Sequence, residues 1–234
     1  MGRRFIIARH PASAAPRPFM PRIALIHALT HSVAPINQAF AASWPEAVLM
    51  NLLDDSLSAD LARGGRGLDD AMNRRFEALA DYAVATGADA ILFTCSAFGP
   101  CIEAVVRRHA AIPVLKPNEA MIEEACRGGA RIGLVASFAP TLESMPAEFP
   151  QGTQLDCELA DGALDALDQG DTVRHDAQVV AAAQRLHARG CGLVALAQFS
   201  LARAANAVRA SVPLPVVTTV DSAVLKLRSR LAGG

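Results

Sequence analysis

The chain has 234 residues, 52% of them hydrophobic and only 5% aromatic, so it can bury a sizeable core built mainly from Ala, Val, Leu and Ile. Its 22 Lys and Arg nearly balance 23 Asp and Glu, and no basic cluster alternates with aromatics, which argues against nucleic acid as a partner. No apolar run approaches the ~18 residues of a membrane span, and the five cysteines form neither a CxxC nor a Cys/His ligand spacing, which points to reduced thiols in the cytoplasm and no metal site.

The first 20 residues carry Arg3, Arg4, Arg9 and Arg17 with no acid and lack the apolar core of a secretory signal. They read as a disordered extension, with the folded body expected from residue 21. From there strand-like apolar runs alternate with helix-length amphipathic segments, the pattern of parallel sheets with crossover helices. Over the first half, strands are expected near 22–28, 46–51, 90–94 and 112–115, and helices near 33–43, 68–86 and 99–110. The runs ILF before Cys95 and VLM at 48–50 read as buried on both faces. Gly64, Gly65 and Gly67 mark a flexible loop before the long helix. Over the second half, strands are expected near 131–136, 153–158, 192–197 and 214–217. Helices are expected near 118–128, 139–147, 171–189, 200–210 and 219–231. Pro117 suits the start of the first of these helices, and Gly128–Gly129 its end.

The two halves repeat. GADAILFTCSAFGP at 87–100 parallels GCGLVALAQFSLAR at 190–203, and RIALIHAL at 22–29 parallels RIGLVASF at 131–138. Each long copy opens on Gly, runs through an apolar strand and reaches a polar residue at the same step: Cys95 in one, Gln198 in the other. This predicts an α/β protein of two pseudo-symmetric lobes, each a small parallel sheet flanked by helices, with the active site in the cleft between them. The lobes are expected over 21–116 and 117–218, with the helix at 219–231 packing back on the first. Ligands of such sheets sit beyond the carboxyl ends of the strands, where Cys95, Gln198, Ser137 and His27 all fall.

Cys95 is the strongest chemical candidate. A thiol at a strand end and helix start is expected to have its pKa lowered by backbone N–H groups and the helix dipole, making a thiolate able to take a proton from carbon. Gln198 can hydrogen-bond a substrate carboxylate or carbonyl but cannot exchange protons. Thr94, Ser96, Ser137, Thr141, Ser200, Thr218 and Thr219 supply hydroxyls near strand ends and helix starts. His27 is either a proton carrier or a strand-end histidine satisfied in the core. Cys101, Cys126, Cys157 and Cys191 fall in element interiors or beside Gly and read as structural. No Gly-rich phosphate loop is present, so nothing points to a nucleotide.

The TCS strand end, the matching position after GCGLVALA, and the second-lobe start RIGLVASFAPT together resemble the aspartate/glutamate/hydantoin racemase superfamily over nearly the whole chain after residue 20. The resemblance implies two α/β lobes around one active site, no metal or cofactor, a homodimer or higher assembly, and one Cys from each lobe acting on opposite faces of the carbon next to a carboxylate. Cys95 matches the first-lobe Cys, and Thr141 matches a hydroxyl residue near the second-lobe start. Gln198 falls where the second Cys is expected. The implied activity is cofactor-independent isomerisation of a small acid or amino acid such as aspartate or glutamate. Ser96, Ser137, Thr141, Gln198, Ser200 and His27 are the candidate substrate-binding residues. A single thiol is also compatible with a decarboxylase or isomerase of the same fold, or with a protein that binds a small carboxylate without turnover.

Overall fold

The structure is a computed structural model that describes residues 20–64 and 67–232; the N-terminal extension expected over the first 20 residues lies, but for Met20, outside the described residues. Two four-stranded parallel sheets carry the chain. In the first, β1 (Arg22–His27), β2 (Val48–Leu53), β3 (Ala90–Phe93) and β4 (Val114–Leu115) lie in the order β2-β1-β3-β4. In the second, β5 (Ile132–Ala136), β6 (Leu155–Leu159), β7 (Leu193–Leu196) and β8 (Val216–Thr218) repeat that order as β6-β5-β7-β8. The registers match as well: Ile23 pairs with Ala90, and Ile132 pairs with Leu193. Cys95 and Gln198 each follow five residues beyond Ala90 and Leu193, so they occupy the same place in their lobes.

The central strands are buried on both faces, as crossover helices on each side of a parallel sheet require. Every residue of β3 and β5 is buried. The expectation that VLM at 48–50 is doubly buried is not met. β2 has a neighbour on one side only, and its ends Val48 and Leu53 are 43% and 45% exposed.

Ten α-helices cover the sheets among the described residues. In the first half these are α1 (Val33–Ser43), α2 (Ser56–Gly64), α3 (Asp70–Ala85) and α4 (Gly99–Arg108). In the second they are α5 (Glu119–Cys126), α6 (Ala139–Ser144), α7 (Ala163–Asp168), α8 (Thr172–Ala188), α9 (Ala205–Ser211) and α10 (Thr219–Ala232). The two longest start on capping carboxylates: Asp69 accepts from the Met72 N–H at 2.9 Å and Asp171 from the Arg174 N–H at 3.0 Å.

Three expectations need correcting. The stretch before the long helix is itself helical up to Gly64, as α2, while residues 65–66 lie outside the described residues. A second short helix, α7, stands between β6 and α8. The helix expected at 139–147 ends as α6 at Ser144 and continues as a 3-10 turn over Met145–Glu148, since Pro146 cannot donate to a preceding carbonyl.

Four apolar clusters lie against the faces of the two sheets. Phe76 of α3 stacks on Phe93 at 5.5 Å and meets Phe98 in a tilted contact at 4.9 Å between ring centroids, under α4. On the opposite face of that sheet, Ile23, Leu25 and Leu92 pack with Phe40 of α1 and with Val220, Val224 and Leu227 of α10. The C-terminal helix packs on the first sheet, and Phe199, which follows β7, joins the same cluster. In the second lobe α8 lies so close to β5 that a Cβ on Gly133 would stand 2.9 Å from Leu186. No helix among the described residues is long and apolar enough to cross a membrane.

Candidate active site

The carboxyl ends of β3 and β7 open into one cleft. It is lined by Thr94, Cys95 and Ser96 from the first lobe and by Ala197, Gln198, Phe199 and Ser200 from the second. Leu29 and Ser32 close one side, Pro117 and Asn118 the other. The free space where they meet is small, about 20 Å³, little more than room for a water molecule, and it is partly open to solvent. The repeat thus brings Cys95 and Gln198 to the same cavity.

Cys95 leaves β3 in extended conformation (φ −124°, ψ 122°), before a 3-10 turn over Ser96–Phe98 that runs into α4. It is half-buried. Burial pushes its thiol above the ordinary value of 9.0, while the Ala97 N–H and the Ser58 hydroxyl of α2 pull the other way without offsetting it. The lowered pKa expected from a helix start is therefore corrected. Partial burial of the thiol outweighs the two donors, one of which comes from α2, a helix that sequence patterning did not reveal. At neutral pH Cys95 is a thiol.

Gln198 is also extended (φ −135°, ψ 146°). Its Oε1 accepts from the Ser137 N–H at 2.6 Å and the Ser137 hydroxyl at 3.1 Å. Two donors on one oxygen fix the amide orientation and leave the Nε2 hydrogens as the donors this side chain offers. Ser137 itself does not line the cleft; it holds Gln198. Thr141, buried in α6, does not line the cleft either, and its N–H donates to the Phe138 carbonyl. Ser96 and Ser200 do line it.

His27 is fully buried at the end of β1. Its ring sits 2.9 Å (Nε2) from Asn51 Oδ1 and 2.8 Å (Nδ1) from Thr94 Oγ1. The amide oxygen can only accept, so Nε2 carries the hydrogen and Nδ1 accepts from the Thr94 hydroxyl. Burial lowers the pKa of the ring, the Asn51 bond opposing it. Both ring nitrogens are engaged, and the ring lies outside the cleft lining. It lies behind Cys95, in a small hollow with Leu57, Phe76 and Phe93.

The other four cysteines stay out of the cleft. Cys101 is buried in α4 with its thiol pushed up to about 11 by burial. Two polar cleft residues were not anticipated, Ser32 and Asn118. Both sit one residue before a helix, where Ser and Asn read as ordinary caps, yet neither side chain makes a capping bond. Of the residues lining the cleft, Cys95 is the only one with a titratable side chain.

Comparison with known proteins agrees with this fold. Among solved structures, allantoin racemase from Klebsiella pneumoniae superposes with a TM-score of 0.69 at 21% identity, covering 92% of this chain and 89% of that one. Glutamate racemase from Bacillus anthracis gives a TM-score of 0.71 at 13% identity, covering 91% and 82%. A variant of arylmalonate decarboxylase gives 0.65 at 18% identity, covering 92% and 94%. At these identities the likeness is one of fold. No curated protein matches the sequence. The family model for Asp/Glu/hydantoin racemases matches residues 28–227. The chain belongs to the Asp/Glu/hydantoin racemase family.

Proposed function

We propose that this protein is a cofactor-independent enzyme acting at the carbon next to the carboxylate of a small acid or amino acid such as aspartate or glutamate, with Cys95 as its proton-transfer group. The observation that carries the proposal is that one thiol alone titrates in a cleft otherwise lined by neutral side chains. In its thiolate form, the minor one at neutral pH, Cys95 takes the proton from the α-carbon, and the electron pair passes into the carboxylate as an enediolate. The thiol so formed returns a proton to the same carbon. The Nε2 hydrogens of Gln198 and the hydroxyls of Ser96 and Ser200 are the donors available to the carboxylate as its charge grows. Because Gln198 stands where a second acid is needed and cannot supply a proton, transfer is confined to one face.

A second reading has its own support. Burial favours the protonated form of Cys95, which suits a general acid that quenches the enediolate left when a substituted malonate loses carbon dioxide. Incubation with single enantiomers of aspartate and glutamate in deuterated water, and with substituted malonates, separates the readings. The proposal expects Cα deuterium that disappears by at least ~10²-fold in Cys95→Ser, the usual scale for an acid–base group. Carbon dioxide release with the same dependence supports the decarboxylase. Exchange undiminished in Cys95→Ser contradicts both, and ligand affinity with no turnover assigns a binding protein.

A further inference from the structure

Asn118 stands at the junction of the two lobes, one residue before α5, with its side chain 1% exposed in the cleft wall. An Asn here ordinarily turns its Oδ1 back to accept a first-turn N–H of the helix; Asn118 makes no such bond. Its Nδ2 instead donates to Glu148 Oε1 at 3.2 Å. A carboxylate oxygen can only take the NH₂ end of the amide, so this contact orients the group. Oδ1 is left buried with no partner among the described residues. A buried acceptor without a donor is destabilising and uncommon in native structures.

Gln198, just beyond β7, shows the opposite polarity, with its oxygen saturated by Ser137 and its N–H groups left over. The cleft thus offers a donor amide from one residue and an acceptor amide from another. A dicarboxylic acid without nitrogen satisfies the first and leaves the second empty. An acid or ureide carrying an N–H group satisfies both.

We propose that Asn118 is a specificity-determining residue: its Oδ1 accepts a hydrogen bond from an N–H group of the substrate, and Glu148, by engaging Nδ2, is the positioning residue that keeps Oδ1 free for it. This rests on the reading of the cleft as a site for small acids at their α-carbon. It adds that the substrate bears nitrogen, which disfavours a simple malonate.

The test measures affinity for matched pairs by calorimetry, so that turnover is not needed. The pairs are aspartate with methylsuccinate, glutamate with its methyl-for-amino analogue, and methylhydantoin with its fully N-methylated form. The unmodified protein is expected to favour the N–H-bearing member of at least one pair by ~10-fold or more. The near-isosteric Asn118→Leu is expected to bring that ratio within about threefold while still binding the donor-free member. Its ligand-free melting temperature should move by no more than a few degrees, because the unsatisfied Oδ1 is removed while Glu148 loses its Nδ2 donor. Glu148→Gln keeps an acceptor and should keep most of the ratio; Glu148→Ala should lose part of it. Failure of the unmodified protein to distinguish any pair overturns the proposal. So does a ratio that survives in Asn118→Leu, or a fall of many degrees in its melting temperature, which would make Asn118 a structural residue. A ratio that depends on Asn118 in a protein with no Cys95-dependent exchange would instead remove the catalytic reading and leave this one standing.

Discussion

At the residue scale the chemistry turns on what surrounds one sulfur atom. The position of Cys95 was legible from the strand-end repeat, but the direction of its pKa was not. A strand end followed by a helix start brings N–H donors, and the Ala97 N–H does bond the thiol. The stronger effect is desolvation by the packing around the thiol, and it outweighs both that bond and the one from Ser58 of α2, a helix that sequence patterning did not reveal. Asn118 was missed for a related reason, because an Asn just before a helix reads as a cap and only the three-dimensional structure shows the cap bond unmade. A prediction follows for the thiol. Alkylation of Cys95 by iodoacetamide, followed by peptide mass spectrometry, should be slow at neutral pH and should keep rising through pH 9.0, the ordinary thiol value, without levelling off. A plateau already reached near pH 7 would show a lowered pKa instead.

At the element scale the strands were largely legible, because central parallel strands are short continuous apolar runs. Helix α7 and helix α2 were not. The first has only six residues, and the second ends in glycines that read as a loop. The duplicated strands also explain one small residue. Ala24 and Gly133 are corresponding positions, since each follows the first residue of the β1/β3 or β5/β7 pairing. The second lobe needs Gly there because Leu186 of α8 occupies the space that a methyl group would take. Gly133→Ala should therefore lower stability by about 1–3 kcal/mol, the scale of core overpacking. Ala24→Gly should act only through lost burial and backbone freedom. Denaturant unfolding of the two variants checks the asymmetry, and an unchanged midpoint for Gly133→Ala would contradict the close packing.

At the scale of the whole molecule the two lobes are held by more than their linker. His31 Nε2 meets Asp168 Oδ1 across the lobes at 2.7 Å, and Phe199 inserts into the cluster formed by β1, α1 and α10. Two buried histidines, His27 and His175, give this assembly a pH dependence. Burial is the largest influence on both and lowers both from 6.5, so the unfolded chain takes up protons before the folded one. Above pH 6.5 neither contributes. As pH falls below it, each lowers stability by up to about 1.4 kcal/mol per pH unit until its own folded pKa is reached. The melting temperature should therefore decline between pH 7 and pH 5, and His175→Gln should flatten the slope. A profile that is level over that range would contradict the buried neutral state of these rings.

The asymmetry of the cleft is the central claim, and stereochemistry tests it most directly. Each enantiomer of the accepted substrate is incubated separately in deuterated water, and the product is resolved by chiral chromatography with its Cα deuterium counted. With one thiol facing one amide, the unmodified protein should exchange a single enantiomer with retention. Gln198→Cys, which places a second thiol across from Cys95, should begin to interconvert the two. Full-rate interconversion of both enantiomers by the unmodified protein would show a second proton donor in the cleft and contradict the one-sided mechanism.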